Sequence, residues 1–267
     1  MAEVVTESPV VPPRPDEGCW YGSTHGAEIA ADVARIYRTY DDWAASGTIP
    51  VTHQRIGKGS SAEVYAAGEN GELACRHLKP FEGLSATLYF VSANVRALGG
   101  PCMEQLVAAD ATRVWSQRLD GVRRDSVPAG VIPQLKRPSI ELVLDALTVL
   151  QARGLAMDIV GGGNVLVSPD WLSLVDLEVD PSQTLTTQLS HIAYDVIGDG
   201  GLARLRARHG KEAVLEEISA RMEVIHLLHE VVTERAALFP RFWRPGLAVV
   251  DSLVRRKERM LRTPELV

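Results

Sequence analysis

The chain has 267 residues, 46% hydrophobic and 23% charged, a composition typical of a globular protein with a substantial core. A formal net charge of −6 argues against nucleic acid held by charge, and no apolar run is long enough to predict a membrane span. The three cysteines form no CxxC pair, so they predict neither a zinc site nor a disulfide framework. We therefore expect a cytoplasmic protein whose partners include neither nucleic acid nor membrane.

The N-terminal part of the chain is predicted to form two segments. Residues 1–18 hold four prolines and four acidic residues. Such a sequence buries too little apolar surface to offset its ordering entropy, so it predicts a flexible tail. Within residues 19–50, apolar residues recur at three- to four-residue steps from position 27 to 45 and predict a helical extension.

Residues 51–135 are predicted to form a small β-rich lobe. The lobe opens with three strands, joined first by a glycine-rich turn and then by a hairpin turn at ENGE. Helical spacing follows over residues 85–98. One further strand is expected in each of the segments 103–119 and 128–135.

Residues 136–267 are predicted to form a helical lobe that carries a hairpin. Pro138 is typical of the first turn of a helix, and Gly154 of the position after its end. The hairpin follows, with NVLV and LSLVDLE as its strands and SPD as its turn. Beyond Pro181, apolar spacing predicts helices to the end of the chain. The basic stretch RRKERMLR near that end favours a solvated helix terminus, with docking of a phosphate-bearing partner as the alternative.

A turn of small residues in IGKGSSAEVY, residues 56–65, joins the first two predicted strands. Small residues allow a backbone to approach phosphate groups closely. A Walker A loop has the pattern GxxxxGK[ST], and Lys58 follows the wrong glycine for that pattern. A Rossmann loop would lead into a helix, whereas this turn leads into a predicted strand. Neither of these two motifs fits the sequence. The turn could approach phosphate groups, and the alternative is an ordinary glycine hairpin that binds no phosphate.

Three oxygen-bearing side chains lie within the short segment 154–180, which also contains the predicted hairpin. They are Asp158, Asn164 and Asp176, and apolar residues and glycines surround them. Carboxylate and amide oxygens suit a hard cation such as Mg²⁺. The alternative interpretation is that these residues only shape turns.

The order of these features over residues 51–180 resembles that of the protein-kinase superfamily. A glycine-rich strand-turn-strand comes first, and an Asp…Asn…Asp hairpin follows a helix. The resemblance implies an α+β, kinase-like bilobal fold, with a small antiparallel β lobe before a mostly helical lobe. It also implies ATP and Mg²⁺ as cofactors.

The same resemblance assigns a role to each matching residue. Asp158 would orient the acceptor hydroxyl as the catalytic carboxylate, while Asn164 and Asp176 would hold Mg²⁺. The residues expected to bind the nucleotide are Gly57, Lys58, Gly59, Ser60, Ser61, Ala62, Val64, Ala74 and Arg76.

Several positions depart from the kinase pattern. Ala62 replaces a glycine of the turn, and Arg76 stands where the family has the lysine that grips phosphate. Asn94 occupies the position of that lysine's glutamate partner. Ala156 removes the histidine before the catalytic aspartate, and Glu178 adds a negative charge near the metal position. These departures bear on activity more than on fold.

The resulting expectation is a divergent ATP- and Mg²⁺-dependent phosphotransferase. Its acceptor would be a hydroxyl group of a protein, a peptide or a small molecule. The alternative is a pseudokinase that keeps the fold and serves as a binding scaffold or regulatory partner in a complex.

Overall fold

The computed structural model describes most of the chain from residue 51 onward. The described residues are 51–58, 62–68, 71, 73–78, 102, 106–109, 113–152, 156–175 and 182–267. The predicted tail, the predicted N-terminal helix and the helix expected at 85–98 lie outside them. The chain divides into two compact units, the first Met1–Leu98 with Glu104–Arg118 and the second Gly99–Met103 with Leu119–Val267.

The first unit contains a five-stranded antiparallel sheet in the order β1-β2-β3-β5-β4. Its strands are β1 (Val51–Lys58), β2 (Ala62–Ala67), β3 (Leu73–Leu78), β4 (Leu106–Ala109) and β5 (Arg113–Gln117). Alternation along β3 buries Cys75, whereas the flanking Ala74 and Arg76 are half-buried. The three strands predicted at the start of this lobe are confirmed. The segment 103–119, expected to hold one strand, forms two.

Residues 128–135 do not form the predicted strand. They make a turn followed by a short 3₁₀ helix over Ile132–Gln134. Pro128 and Pro133 lack the backbone N–H that a strand ladder needs, and Gly130 has a left-handed φ of 80°. The strand prediction was wrong because it weighed the apolar residues above these two prolines.

The second unit combines a small sheet with several helices. The antiparallel strands β6 (Val122–Arg123), β7 (Val165–Val167) and β8 (Leu172–Leu174) are ordered β6-β7-β8. Because Val122–Arg123 pairs with Val165–Val167, residues 119–135 belong to this unit rather than to the β-rich lobe to which the sequence analysis assigned them. The predicted hairpin is confirmed as β7 and β8.

The helices of the second unit follow the predicted order. They are α1 (Arg137–Ala152), α2 (Leu185–Ser190), which continues as a π-helical segment (His191–Gly198), α3 (Leu202–Leu238) and α4 (Pro240–Arg262). Pro138 lies in the first turn of α1 as predicted. Gly210 interrupts α3 with a φ of 84°. Among the described helices, none is long and apolar enough to cross a membrane. The chain is therefore a mixed α and β protein with antiparallel sheets and a mostly helical C-terminal part.

Two cations are buried where α3 and α4 pack around the end of the π-helical segment. Arg221 is 1% exposed and donates hydrogen bonds to Glu217 and to the backbone carbonyls of residues 197, 198 and 200. Lys257 is fully buried and pairs with Asp199, which also pairs with Arg256 at 3.0 Å. Burial lowers the pKa of Lys257, and the Asp199 carboxylate opposes that effect.

The pair at Lys257 predicts an asymmetry between two substitutions. Asp199→Ala leaves the ammonium group of Lys257 buried without its carboxylate, so the free energy of unfolding should fall by about 3–5 kcal/mol. Lys257→Met removes the buried charge and leaves Asp199 paired with Arg256, so the loss should stay below about 1 kcal/mol. Urea denaturation of both variants measures the difference. Similar losses in the two variants would contradict this account of the pair.

Candidate functional site

The loop from Asp158 to Asn164 is closed by a hydrogen bond between its two ends. The side-chain amide Nδ2 of Asn164 donates to the backbone carbonyl of Asp158 at 2.7 Å. Between these residues, Val160–Gly162 form a single 3₁₀ turn. The structure therefore brings together two of the three oxygen-bearing residues singled out in the sequence. Because Nδ2 is engaged inward, Oδ1 is the atom of the Asn164 side chain left for a ligand.

The Asp158 carboxylate is held through one of its two oxygens. Oδ1 accepts hydrogen bonds from the backbone N–H of Val160 at 3.2 Å and from Nε2 of Gln183 at 3.4 Å. Within the described part of the chain, Oδ2 receives no hydrogen bond. Asp158 is half-buried. Its orientation is therefore fixed at one oxygen while the other can meet a hydrogen-bond donor from a ligand.

Gln183 carries a buried acceptor that no described residue satisfies. The residue is 7% exposed, and its Oε1 has no hydrogen-bond partner. The Asp158 carboxylate sets the amide orientation, since a carbonyl oxygen in the place of Nε2 would repel it. An unsatisfied buried oxygen lowers the free energy of unfolding by about 1–3 kcal/mol, so Oε1 of Gln183 reduces the stability of the protein.

Two glycines of the loop adopt backbone angles that favour glycine. Gly161 and Gly162 have φ angles of 61° and 68°. A Cβ atom on Gly162 would lie 2.7 Å from Cγ2 of Val196 in the π-helical segment. Gly163, by contrast, has a helical φ of −62° and no such contact. The GGG triplet is thus required at its first two positions but not at the third.

A second layer of polar side chains supports this loop from the π-helical segment. Nδ1 of His191 lies 3.0 Å from the backbone nitrogen of Gly161 and 2.8 Å from Oδ2 of Asp195. The other oxygen of Asp195 pairs with Arg124 at 3.4 Å. The Arg124 side chain also passes alongside Gly162. A histidine from a separate element of the second unit therefore contacts the loop.

The hairpin leads from Asn164 towards the third predicted residue. The backbone N–H of Val175 donates to the carbonyl of Asn164 at 2.9 Å, which extends the pairing of Val165 with Leu174 by one step. Val175 is the last described residue before Asp176. Asp176 itself lies outside the described residues, so its metal role stays a prediction. Among the described residues, no group of three His, Cys, Asp or Glu side chains could hold a metal ion.

In the first unit, three of the predicted nucleotide-binding residues share one row across the sheet. Gly57 of β1 lies opposite Val64 of β2, and Val64 lies opposite Arg76 of β3. Cross-strand partners point to the same face, and Ala74 shares that face because it is two residues from Arg76. The row therefore combines small residues with one cation. Gly59, Ser60 and Ser61 lie outside the described residues.

Lys58 is the last residue of β1 and Ala62 the first residue of β2. Nζ of Lys58 lies 3.5 Å from the Glu63 carboxylate, which also accepts a hydrogen bond from the Tyr65 hydroxyl at 2.7 Å. The hydrogen bond from Tyr65, followed by the attraction of Lys58, lowers the pKa of Glu63. The Lys58 cation thus lies beside an ionised carboxylate on the exposed edge of the sheet.

Sequence reasoning missed the residues that support the loop. Gln183, His191 and Asp195 lie far from Asp158 in the sequence, and no motif joined them to it. The signal that could have been used is the i, i+4 spacing of His191 and Asp195, which places both side chains on one helix face.

No protein-family model matches the chain, and no curated protein is similar enough to count as a relative. The assignment of a function therefore depends on the residues and their geometry.

The glycine geometry predicts opposite outcomes for adjacent substitutions. Gly162→Ala combines a left-handed φ with a clash against Val196 and should lower the free energy of unfolding by about 1–3 kcal/mol. Gly163→Ala, at a helical φ with free space, should be neutral or stabilising by up to about 1 kcal/mol. Chemical denaturation of the two variants gives the comparison. A neutral Gly162→Ala variant would show that the loop backbone is not constrained as described.

The unsatisfied acceptor predicts a contrast between two buried glutamines. Gln183→Leu removes the unpaired Oε1 and should leave the free energy of unfolding unchanged or raise it by about 1 kcal/mol. Gln188 is the matched control, because its Oε1 accepts from the Met157 N–H at 3.1 Å and it is also buried. Gln188→Leu strands that N–H and should cost about 1–3 kcal/mol. Equal losses in urea denaturation would refute the contrast.

Proposed function

We propose that the protein is a divergent ATP- and Mg²⁺-dependent phosphotransferase with a kinase-like bilobal fold, acting on a hydroxyl group. The observation that carries the proposal is the closed loop, in which the Asn164 amide bonds the Asp158 carbonyl and the Asp158 carboxylate keeps one oxygen open. A five-stranded antiparallel sheet in the first unit and a mostly helical second unit support the bilobal arrangement.

Asp158 acts in this proposal as the residue that orients the acceptor. Its Oδ1 is held by Val160 and Gln183, so Oδ2 can accept a hydrogen bond from the acceptor hydroxyl. It would take the hydroxyl proton as the acceptor oxygen bonds to the γ-phosphorus and the bond from that phosphorus to the bridging oxygen breaks, with ADP as the leaving group. A carboxylate fixed at one oxygen loses less entropy when it meets the acceptor than a freely rotating one.

Asn164 and Asp176 are the residues proposed to hold Mg²⁺. The amide oxygen of Asn164 and the carboxylate of Asp176 are hard donors of the kind Mg²⁺ prefers. The hydrogen bond from Nδ2 to Asp158 supports this role because it directs Oδ1 away from the loop. When bound, the ion would neutralise charge on the nucleotide phosphates.

The nucleotide is assigned to the face of the sheet that carries Gly57, Val64, Ala74 and Arg76. Small residues there leave room for a planar base or a phosphate chain, and the Arg76 guanidinium is a fixed positive charge suited to phosphate oxygens. Gly59, Ser60, Ser61 and Ala62 complete the turn that would approach the phosphates, with Lys58 at its edge.

The second candidate function is a nucleotide-binding pseudokinase that serves as a scaffold or regulatory partner. It is favoured by Ala156, by Arg76 in the lysine position and by Glu178 beside the metal position. The presence of Asp158, Asn164 and Asp176 favours the enzyme.

A protein, a peptide or a small molecule could supply the acceptor hydroxyl. The absence of a disulfide pattern in the sequence favours the cytoplasm.

Two linked measurements test the proposal. Millimolar ATP with Mg²⁺ should raise the melting temperature of the protein. The free energy of unfolding should rise by about 2.7 kcal/mol when the nucleotide is at 100 times its Kd. Radiolabelled phosphoryl transfer to casein, or to water where no acceptor is recognised, should then fall about 100-fold or more in Asp158→Asn. Asp170→Asn is the control, since Asp170 is exposed in the turn of the same hairpin.

Each outcome separates the two candidate functions. Stabilisation by nucleotide without transfer by the wild-type protein would assign the scaffold function. Equal transfer by wild type and Asp158→Asn would mean a contaminating kinase. The absence of any stabilisation would remove the nucleotide and metal roles together.

A further inference from the structure

Four arginines at one end of the second unit have no partner among the described residues. Arg204 and Arg208 lie on the first turns of α3, and Arg255 and Arg259 lie near the end of α4. All four are exposed, and none forms a hydrogen bond or an ion pair with a described residue. We call this set the arginine face. It occurs in a chain with 34 acidic residues and a net charge of −6, so the lack of partners is not due to a shortage of carboxylates.

The first part of the arginine face is a groove along α4. A cavity of about 450 Å³ is lined by Ser252, Arg255, Arg256, Arg259 and Met260. Positions 252, 255, 256 and 259 repeat at helical spacing, so their side chains share one side of the helix. Arg256 is already engaged, because it pairs with Asp199 at 3.0 Å and lies over the Tyr194 ring at 5.6 Å. The free donors of the groove are therefore Arg255, Arg259 and the Ser252 hydroxyl.

The second part is a groove of similar chemistry beside α3. Its volume is about 270 Å³, and its polar lining consists of Ser126, Arg204, Arg208 and His209. Apolar lining comes from Val127, Pro128 and Leu205. Each groove thus offers two unpaired guanidinium groups four residues apart on a helix, one serine hydroxyl and an apolar surface.

The two grooves border the same apolar cluster. Leu205 of the second groove and Met260 of the first both pack against the cluster formed by Leu202, Val214, Ile218 and Val267. The helices that carry the four arginines therefore meet at this cluster. A single extended segment that crosses the cluster could place one anionic group in each groove.

We propose that the arginine face binds a phosphorylated peptide segment of a partner protein. A phosphate monoester has three strongly accepting oxygens and about two negative charges, so it can use donors from two guanidinium groups and a hydroxyl at once. A single carboxylate has only two oxygens and one charge. The apolar lining at Leu205 and Met260 suits the side chains between the phosphorylated residues.

The lining of the grooves favours a peptide over the other polyanions. Single-stranded nucleic acid is normally held by aromatic side chains on which bases stack, and neither groove is lined by Phe, Tyr or Trp. Proteins that bind anionic membranes usually insert protruding apolar residues beside their cationic side chains. Where α3 ends and α4 begins, the exposed apolar side chains Leu238 and Phe239 lie at the opposite ends of these helices from the four arginines.

Fluorescence anisotropy with the full chain tests the proposal. The probe is a labelled acidic peptide with two phosphoserines, and its comparison is the same peptide with unmodified serines. We expect the phosphorylated peptide to bind about tenfold tighter or more. Arg255→Ala/Arg259→Ala and Arg204→Ala/Arg208→Ala should each weaken its binding about tenfold, since each removes two charge-assisted contacts.

Arg241→Ala/Arg244→Ala is the matched control, because it removes the same charge from exposed positions at the other end of α4. Its binding should equal that of wild type, and circular dichroism melting should show all three variants folded. Equal affinity for the two peptides would overturn the proposal, as would no binding at all. Tighter binding of a uridine oligonucleotide or of phosphatidylserine vesicles, lost in the same variants, would assign the face to that polyanion instead.

Discussion

The hydrogen bond from the Asn164 amide to the Asp158 carbonyl is the contact on which the candidate site depends. It closes a seven-residue loop in which Gly161 and Gly162 hold left-handed backbone angles. It also leaves Oδ1 as the side-chain atom of Asn164 that remains for a ligand. The hairpin then continues from Asn164 through its bond with Val175. One side-chain amide therefore sets the positions of a carboxylate, an amide oxygen and the strand that leads to Asp176.

The π-helical segment holds the loop, and buried charged side chains interact with the end of that segment. Arg221 donates to three carbonyls at the end of the π-helical segment, where a helix leaves its acceptors without partners. Lys257 and Asp199 form a second charged contact at the same place. His191 and Asp195, which face the loop, lie on this segment. Packing of α3 and α4 against the segment thus determines the position of the side chains that support the loop from Asp158 to Asn164.

The sequence predicted the elements better than the contacts between them. Alternating apolar residues and short turns located the first three strands and the β7–β8 hairpin, because each depends on neighbours in the sequence. The segment 128–135 was mispredicted where proline and apolar signals disagreed. Asp158 and Asn164 stood out in the sequence as oxygen-bearing side chains of one short segment, and the structure joins them by a hydrogen bond. Gln183 could not, since its role depends on a contact across 25 residues that no local pattern encodes.

The position of His191 has a consequence for the hydrogen bonds that hold the loop. Its Nδ1 faces both the Gly161 N–H, which requires a lone pair there, and the Asp195 carboxylate, which requires a hydrogen. One nitrogen atom cannot satisfy both at the same moment. The tautomer of the imidazole ring therefore decides whether Nδ1 bonds to the Gly161 backbone or to the Asp195 carboxylate, while Arg124 pairs with the other oxygen of Asp195.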